Sequence, residues 1–307
     1  MMKPIIIFIL GPTSSGKSAV AAALAGRING EVISCDSMQV YKDMDIITQA
    51  PGDDILSLAP HHLLRFLDPK EPYSAARYSS DAEKEISGVI SRSHVPVFAG
   101  GTGLYVKALV DGIIDMPAGN EKIRRGLEKE ALEKGSEYLH GLLFEADPHA
   151  AARLHPNDVR RVVRALEIHE LGGRAVQDSG KEKRGIFNKY DIKMFGLDVP
   201  REDLYARIEN NVERMFSAGL VEEVRRLLEK GPAKTALQAL GIKEVSAYID
   251  GAMTLKEVRE ELKMNTRRYA KRQLTWFRAD KRIEWVNAAR RVEEIVQEIV
   301  DQLKGRL

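Results

Sequence analysis

The sequence IIIFILGPTSSGKS, residues 5–18, contains the clearest structural signal in the chain. Its first part, Ile5–Leu10, is a continuous β-branched and aromatic run, which is typical of a strand buried on both faces of a parallel sheet. Its second part, Gly11–Ser18, fits the phosphate-binding pattern G-x-x-x-x-G-K-[ST] without a mismatch, and the helix-forming run Ala19–Ala25 follows it. A strand, a glycine-containing turn and a helix in this order predict a loop that binds a phosphate or pyrophosphate.

The loop residues contribute to anion binding in different ways. Gly11 and Gly16 let the backbone wrap closely, so that amide N–H groups and the helix N-terminus point at the anion. Lys17 places a positive charge on the terminal phosphate oxygens, and the Ser18 hydroxyl is positioned as a ligand for Mg²⁺, the cofactor we expect. The predicted diphosphate or nucleotide loop consists of Gly11, Pro12, Thr13, Ser14, Ser15, Gly16, Lys17 and Ser18.

Three further apolar runs are typical of buried strands. They are Glu31–Cys35, Val95–Ala99 and Lys193–Val199, and helical stretches separate them. Strands that alternate with helices predict an α/β fold with a mainly parallel sheet. Together with the phosphate loop, they predict a P-loop NTPase-like core.

The chain between the last two of these runs is longer than one crossover connection requires. Residues 120–175 carry leucines at helical spacing, and the polar stretch Gln177–Arg184 predicts a loop before the chain returns to the sheet. We therefore predict a helical insertion over 116–185. The core is predicted to comprise 1–115 and 186–307, with a helical C-terminal region.

The composition of the 307 residues is that of a globular chain, with 44% hydrophobic and 30% charged residues. No uninterrupted apolar run of about eighteen residues occurs, so we predict no membrane span. The single cysteine, Cys35, excludes a disulfide framework and a cysteine-based zinc site. We expect a cytoplasmic protein that is a monomer.

The net charge of +2 indicates no particular partner, but the basic residues cluster. Residues 263–282 contain eight basic side chains and one acidic side chain, together with Tyr269, Trp276 and Phe277. Basic residues mixed with aromatics suit phosphate contacts and base stacking, whereas the simpler interpretation is a solvated helix face. For Trp276 and Phe277 we expect packing in the core.

Asp36 directly follows the second predicted strand, at the edge where ligand crevices form in α/β sheets. From the residue pattern alone, Asp36 is a metal ligand, a general base or a helix cap, and the pattern leaves these three roles open. His61 and His62 suggest a metal pair, but no third ligand follows at a suitable spacing, so we assign them a structural role.

Several sequence blocks extend the phosphate-loop signal over nearly the whole chain. They are DSMQVY at 36–41, HHL at 61–63, GGTGLY at 100–105, HPND at 155–158, RRVVRALE at 160–167 and RRYAKRQLTWFR at 267–278. In this order the blocks resemble the bacterial tRNA dimethylallyltransferases, the IPP transferase family. The resemblance implies transfer of a dimethylallyl group from dimethylallyl diphosphate to the exocyclic N6 amine of the adenosine 3′ to the tRNA anticodon, with release of pyrophosphate.

The resemblance also implies roles for the residues at the loop. The loop would hold the diphosphate of the prenyl donor, with Thr13, Lys17 and Arg207 at the pyrophosphate oxygens. Asp36 would act as the general base that removes a proton from the adenine amine. Three positions depart from the family pattern and predict weaker substrate affinity; they are Ala50, Asn211 and Ile242.

One set of residues is implied to contact the anticodon stem-loop of the tRNA, and the insertion would grip that stem-loop. The set consists of Asp36, Ser37, Met38, Gln39, Thr102, Arg124, Arg160, Arg161, Val162, Val163, Arg164, Lys271, Arg272, Gln273 and Arg278. The target base must leave its stack to reach a buried site.

Three other functions compete with prenyl transfer to tRNA. The same prenyl chemistry could act on a free adenine nucleotide, which needs no RNA-gripping arm. A small-molecule kinase would use ATP at the same loop. An RNA-binding module without catalysis is the weakest alternative, because it would not need Lys17 and Ser18.

Overall fold

The computed structural model describes residues 3–112, 119–172 and 185–306. The chain forms two compact units, one of Met1–Gly112 with Gly185–Leu307 and one of Ile113–Arg184. These bounds differ by at most three residues from those of the predicted core and insertion. The predicted loop Gln177–Arg184 lies outside the described residues. Within the described ranges, no helix is both long and apolar enough to cross a bilayer.

A parallel sheet of six strands runs through the first unit. The strands are β1 (Ile5–Leu10), β2 (Gly30–Ser34), β3 (His61–His62), β4 (Val95–Gly100), β5 (Asp191–Asp198) and β6 (Ile283–Asn287). Their order across the sheet is β3-β2-β4-β1-β5-β6, and every neighbouring pair is parallel. The predicted strands are confirmed as β1, β2, β4 and β5, with ends shifted by at most two residues.

Helices cover both faces of this sheet, and β1 contributes to the apolar core on each face. Its even-numbered residues pack into one core and its odd-numbered residues into the other. Because both faces are buried, every position of β1 is apolar. The rings of Phe8 and Phe98 stack with their centroids 4.6 Å apart and join β1 to β4.

The described residues form fourteen α-helices, numbered in chain order. They are α1 (Lys17–Arg27), α2 (Asp45–Thr48), α3 (Asp53–Leu56), α4 (Ala75–Ser91), α5 (Gly103–Val110), α6 (Glu121–Lys134), α7 (Ser136–Ala146), α8 (Pro148–Ala151), α9 (Val159–Glu170), α10 (Arg201–Ser217), α11 (Leu220–Glu229), α12 (Ile242–Ile249), α13 (Leu255–Arg278) and α14 (Val292–Gln302). Helices α6 to α9 lie in the second unit, where Leu139, Leu143 and Val162 are buried in a separate small core.

Helix α13 carries the basic cluster and has 24 residues. It begins with a capping box, in which the side chains of Thr254 and Glu257 each accept a hydrogen bond from the other residue's backbone N–H. Phe277 is buried in the core as predicted, whereas Trp276 is 44% exposed, so the prediction for Trp276 is wrong. The buried positions of α13 recur every three or four residues, and Trp276 lies beside that stripe.

Candidate active site

The phosphate loop joins β1 to α1 at the carboxyl edge of the sheet. Ser14 and Gly16 have φ values of 64° and 88°, so the chain turns back on itself just before α1. Gly16 is the N-cap of α1 and supplies no capping side chain, which leaves the N–H groups of the first helical turn facing the loop. This geometry suits the binding of an anion.

Lys17 brings a positive charge into the loop. Its ammonium group donates a hydrogen bond to the Pro12 carbonyl oxygen at 3.3 Å, so its partner is a carbonyl and not a carboxylate. Burial lowers the pKa of Lys17 below its usual value, and the charge of Asp36 opposes this shift by a smaller amount. An anionic ligand would supply the missing counter-charge.

A cavity of about 450 Å³ opens in front of the loop; we call it the loop cavity. Its lining comes from the loop, from the turn after β2, from the segment 45–55 and from α10. The lining includes Thr13, Ser14, Gly16, Lys17, Ser18, Asp36, Gln39, Ala50, Asn211 and Arg214. The structure therefore brings the predicted diphosphate loop and Asp36 to one cavity.

The Asp36 carboxylate is held by its own turn. Its Oδ1 accepts hydrogen bonds from the backbone N–H groups of Met38 at 2.9 Å and Gln39 at 3.4 Å. Asp36 thus caps the turn that follows β2, where the chain forms no helix until α2. The Oδ1 atom of Asp36 therefore stabilises the turn, and Asp36 also lines the loop cavity in front of Lys17.

A second cavity of about 290 Å³, the apolar cavity, adjoins the first. The two share Thr13, Asp36, Thr48, Gln49 and Met215 in their linings. Its apolar wall consists of Met38, Ile47, Ala239, Leu240, Leu262 and Tyr269, and the polar side chains of Ser37, Gln238, Thr266, Arg272 and Gln273 complete the lining. Asp36 consequently stands between the space in front of Lys17 and a second space with Met38, Ile47 and Leu262 in its wall.

Helix α10 supports the phosphate loop from the outside. Arg207 donates to the Ser15 carbonyl oxygen at 3.5 Å and to the Ala288 carbonyl oxygen at 3.3 Å, so the structure places this predicted residue beside the loop. Asn211 donates to the Ser14 hydroxyl at 2.8 Å. At this departure from the family pattern, the chain therefore has a side chain that binds the loop itself.

Arg214 is a cation of the loop cavity that the motifs do not reveal. It lies one helical turn beyond Asn211 and donates a hydrogen bond to the Asn211 side-chain oxygen. The spacing of Arg207, Asn211 and Arg214 on one face of α10 is the sequence signal that could have found it.

A buried glutamate anchors the segment that lines both cavities. Glu223 of α11 accepts hydrogen bonds from the N–H groups of Ile46 at 2.9 Å and Ile47 at 2.8 Å, at the start of α2. Burial raises the pKa of Glu223. The side-chain amide of Gln39 donates to the carbonyl oxygens of Thr48 and Gln49, at the other end of α2. Gln39, predicted as a tRNA contact, therefore also holds the cavity wall.

The turn after β4 fixes the residue that follows Asp36. The Thr102 hydroxyl oxygen accepts a hydrogen bond from the Ser37 N–H at 3.0 Å and lies 3.3 Å from the Ser37 hydroxyl. Two predicted tRNA-contact residues are thus brought together beside Asp36.

The basic end of α13 borders a third cavity of about 880 Å³, the basic cavity. Lys271, Arg272 and the exposed Trp276 line it, and Arg272 also lines the apolar cavity. Further lining residues are Lys107, Asp111, Asp280, Lys281 and Arg282. Arg278 lies outside this lining, pairs with Asp198 at 3.3 Å and is exposed.

Three residues predicted to contact tRNA have side chains that serve the protein interior. Gln273 is 6% exposed and binds backbone atoms on both sides of its amide. Val162 and Val163 are buried in the core of the second unit, at 0% and 3% exposure. Their place on the inner face of an amphipathic helix corrects the sequence-based assignment for their side chains.

The remaining predicted RNA contacts lie in the second unit on or near α9. The fully buried Glu167 carboxylate accepts hydrogen bonds from Arg124 at 2.9 Å, from Arg164 at 2.5 Å and from the Asn120 N–H at 2.5 Å. These partners lower the pKa of Glu167, although burial alone would raise it. Arg160 and Arg161 are exposed on the same helix.

The oxygen donors of the loop cavity fit a magnesium ion. Mg²⁺ is usually held by one or two protein oxygens together with phosphate oxygens. Ser18 lines the loop cavity next to Lys17, and its hydroxyl would be the protein oxygen beside those of a bound diphosphate. In the part of the chain that the structure describes, no three His, Cys, Asp or Glu side chains form a cluster that could hold a metal.

A parallel sheet with this loop between its central strand and the first helix defines the class of P-loop α/β proteins. Comparison with known proteins narrows the class. The family model for IPP transferase matches residues 39–280, and the model for isopentenyl transferase matches residues 4–58. The chain belongs to the IPP transferase family.

Curated relatives and solved structures agree with this assignment. The chain is 46% identical over 283 residues to a tRNA dimethylallyltransferase of Geobacter sulfurreducens, covering 92% of this chain and 91% of the relative. Its fold matches a tRNA isopentenylpyrophosphate transferase of Bacillus halodurans with a TM-score of 0.72 and 39% identity, over 99% and 96% of the two chains. The fold also matches a eukaryotic dimethylallyltransferase described as acting on tRNA, with a TM-score of 0.78 and 28% identity. The match covers 99% of this chain and 80% of the eukaryotic chain.

Proposed function

We propose that this chain transfers a dimethylallyl group from dimethylallyl diphosphate to the N6 amine of the adenosine 3′ to the tRNA anticodon. The observation that carries the proposal is the shared cavity that Lys17, Ser18 and Asp36 line together. The curated relatives named tRNA dimethylallyltransferase, at 42–46% identity, support the choice of this reaction.

In this reaction the loop binds the leaving group. The bond between the first carbon of the prenyl chain and the diphosphate oxygen breaks, and pyrophosphate departs with the electron pair. Backbone N–H groups, Lys17 and Arg214 stabilise the charge that builds on it. When bound by Ser18 and the diphosphate, Mg²⁺ would neutralise part of the same charge.

Asp36 serves the nucleophile on the other side of the scissile bond. An adenine amine is a weak nucleophile because its lone pair is delocalised into the ring. As the new nitrogen–carbon bond forms, the Asp36 carboxylate accepts the amine proton. The adjoining apolar cavity, with Met38, Ile47 and Leu262 in its wall, suits the five-carbon chain.

The basic end of α13 supplies the RNA-binding surface beside these cavities. Lys271 and Arg272 bind phosphate oxygens, and the exposed Trp276 offers a face for base stacking. The target adenosine leaves the anticodon stack to reach Asp36. The arginines at 124, 160, 161 and 164 in the second unit bind the anticodon stem-loop. The protein acts in the cytoplasm as a monomer.

The test is incubation of the purified protein with labelled dimethylallyl diphosphate, Mg²⁺ and either unmodified tRNA or AMP. We expect label on the tRNA and release of pyrophosphate. A matched stem-loop with guanosine in place of the target adenosine is the control and should stay unlabelled. Label on AMP alone would contradict the RNA substrate. Consumption of added ATP with a phosphorylated and unprenylated product would make the protein a kinase.

A further inference from the structure

A buried side chain of α13 joins two loops of the candidate active site. Gln273 is 6% exposed. Its Oε1 accepts a hydrogen bond from the Thr13 N–H in the phosphate loop at 2.8 Å. Its Nε2 donates a hydrogen bond to the Gly101 carbonyl oxygen, after β4, at 2.9 Å. Both ends of the amide are therefore engaged with backbone groups, and the bond to the Gly101 carbonyl oxygen is buried.

The surrounding backbone is shaped to admit this amide. A Cβ atom on Gly101 would lie 2.3 Å from Gln273 Nε2 and 3.2 Å from the Gly11 carbonyl oxygen. Only glycine at position 101 therefore lets α13, the end of β4 and the phosphate loop approach this closely. The contact is a fitted three-way junction and not a chance hydrogen bond at a surface.

The junction is connected both to the loop that would bind the prenyl donor and to the segment that carries the proposed base. On the donor side, it turns the Thr13 N–H toward Gln273, and Thr13 lines both the loop cavity and the apolar cavity. On the acceptor side, Gly101 leads into Thr102, which holds Ser37 beside Asp36. One amide therefore sets the spacing between the diphosphate loop and the segment that carries the base.

We infer that Gln273 is a positioning residue, which holds the phosphate loop and the Asp36 segment at the separation needed for prenyl transfer. The inference rests on the proposed function for the identity of the reaction. Gln273 acts through its hydrogen bonds to the Thr13 N–H and the Gly101 carbonyl oxygen. Small displacements of reacting groups are costly to the rate, so preorganisation by a rigid contact has a large effect.

Gln273→Glu provides a test because its ability to bridge depends on pH. A protonated glutamic acid has the shape of glutamine and keeps one donor and one acceptor. The ionised form still accepts from Thr13 but cannot donate to the Gly101 carbonyl oxygen. The charged or titratable groups that line the apolar cavity together with Gln273 are Asp36, Tyr269 and Arg272, and Lys17 lies in the adjoining loop cavity.

We expect kcat/KM of Gln273→Glu to be roughly 10- to 100-fold below wild type at pH 8. The ratio of variant to wild type should rise toward one as the pH falls to 5.5, because burial at this position raises the pKa of the introduced carboxyl group and the protonated side chain restores the bridge. Gln273→Leu has a similar size and no polar group, so its ratio should stay low at every pH. Gln297→Glu on the exposed face of α14 is the matched control and should follow the wild type throughout.

Calorimetric titration with inorganic pyrophosphate gives a readout that needs no turnover. The dissociation constant of pyrophosphate should rise about tenfold for Gln273→Leu at both pH 8 and pH 5.5. For Gln273→Glu it should rise by this amount at pH 8 only. A Gln273→Glu ratio that does not change with pH, or pyrophosphate binding equal to wild type in both variants, would overturn the inference. Failure of the wild type to prenylate tRNA would instead overturn the proposed function, and the titration would still test the junction.

Discussion

Two charged side chains, Glu31 and the half-buried Lys17, lie at opposite edges of the same sheet, and their surroundings differ. At the amino edge, Glu31 of β2 is 2% exposed, and Arg92 donates two hydrogen bonds to it, at 2.8 and 2.7 Å. His62 and His94 lie 2.5 and 2.6 Å from the same carboxylate. At the carboxyl edge, Lys17 has a carbonyl oxygen at 3.3 Å as its partner.

This difference in hydrogen-bond partners indicates that the Glu31 charge is structural and that the Lys17 charge is functional. Hydrogen bonds from Arg92, and to a smaller extent from the two histidines, lower the pKa of Glu31 to about 2 although burial opposes them. Burial lowers the pKa of Lys17, because the protein stabilises its charged form poorly. The protein completes the surroundings of Glu31, whereas a ligand must complete those of Lys17. The histidine pair at 61 and 62 thus contributes to structure, as its spacing predicts.

The largest expected effect comes from Lys17→Met, which removes the functional charge. We expect kcat/KM for prenyl transfer to fall about a thousandfold, since a preorganised cation facing the leaving group is lost. The free energy of unfolding should not fall, because a poorly solvated charge is removed. Steady-state kinetics and urea denaturation of the same preparation measure both. If Lys17→Met instead lost stability and kept full activity, Lys17 would be a structural charge, and this assignment of roles to the two edges of the sheet would be wrong.

Glu31→Gln should instead lower the stability of the protein and leave pyrophosphate binding unchanged. The shift of the Glu31 pKa from 4.5 to about 2 corresponds to about 3 kcal/mol of stability at neutral pH. We expect the free energy of unfolding in urea to fall by about that amount, while the dissociation constant of pyrophosphate stays at the wild-type value. Weaker pyrophosphate binding by the folded variant would contradict the separation of the two edges.

The pH dependence of stability sharpens the same comparison. Because the folded-state pKa of Glu31 is depressed, its contribution is complete above pH 4.5 and is lost as the pH falls toward 2. The stability difference between wild type and Glu31→Gln should therefore shrink from about 3 kcal/mol at pH 6 to about 1 kcal/mol at pH 3. Urea denaturation at the two pH values checks this. A constant difference would assign the stabilisation to packing instead of charge.

The smallest effects are expected on the RNA-binding surface, where the charges are exposed. Lys271→Ala and Arg278→Ala should each weaken binding of an anticodon stem-loop several-fold and reduce the slope of log affinity against log salt by roughly one. Arg278 should have the smaller effect because Asp198 already neutralises it. Lys304→Ala, an exposed lysine after α14, is the control. Unchanged slopes would remove α13 from the RNA site.

Local patterns explain why the phosphate loop and four strands could be predicted. The loop motif, the buried run of β1 and the stop at Asp36 each lie within a few consecutive residues. The outer strands carry weaker signals: β3 has two residues, and β6 is a short edge strand with two buried positions. Periodicity does not distinguish such segments from loops.

The parts of the site that could not be predicted depend on contacts between distant residues. Gln273 and Thr13 are 260 positions apart, so only the folded chain shows that this glutamine serves the phosphate loop. Val162 and Val163 stand inside a block rich in arginine, and their burial follows from the helix face they occupy. Trp276 shows the reverse case, since a large aromatic lies exposed beside the buried stripe of α13.

The most direct measurement compares turnover and pyrophosphate affinity in one variant, Asp36→Asn. Asparagine keeps the side-chain oxygen that accepts from the Met38 and Gln39 N–H groups but cannot take up the amine proton. If Asp36 is the base beside a bound diphosphate, kcat falls about 10²- to 10⁴-fold while the dissociation constant of pyrophosphate with Mg²⁺ stays within about threefold of wild type. A dissociation constant that rises as much as kcat falls would make Asp36 a metal ligand and contradict the account.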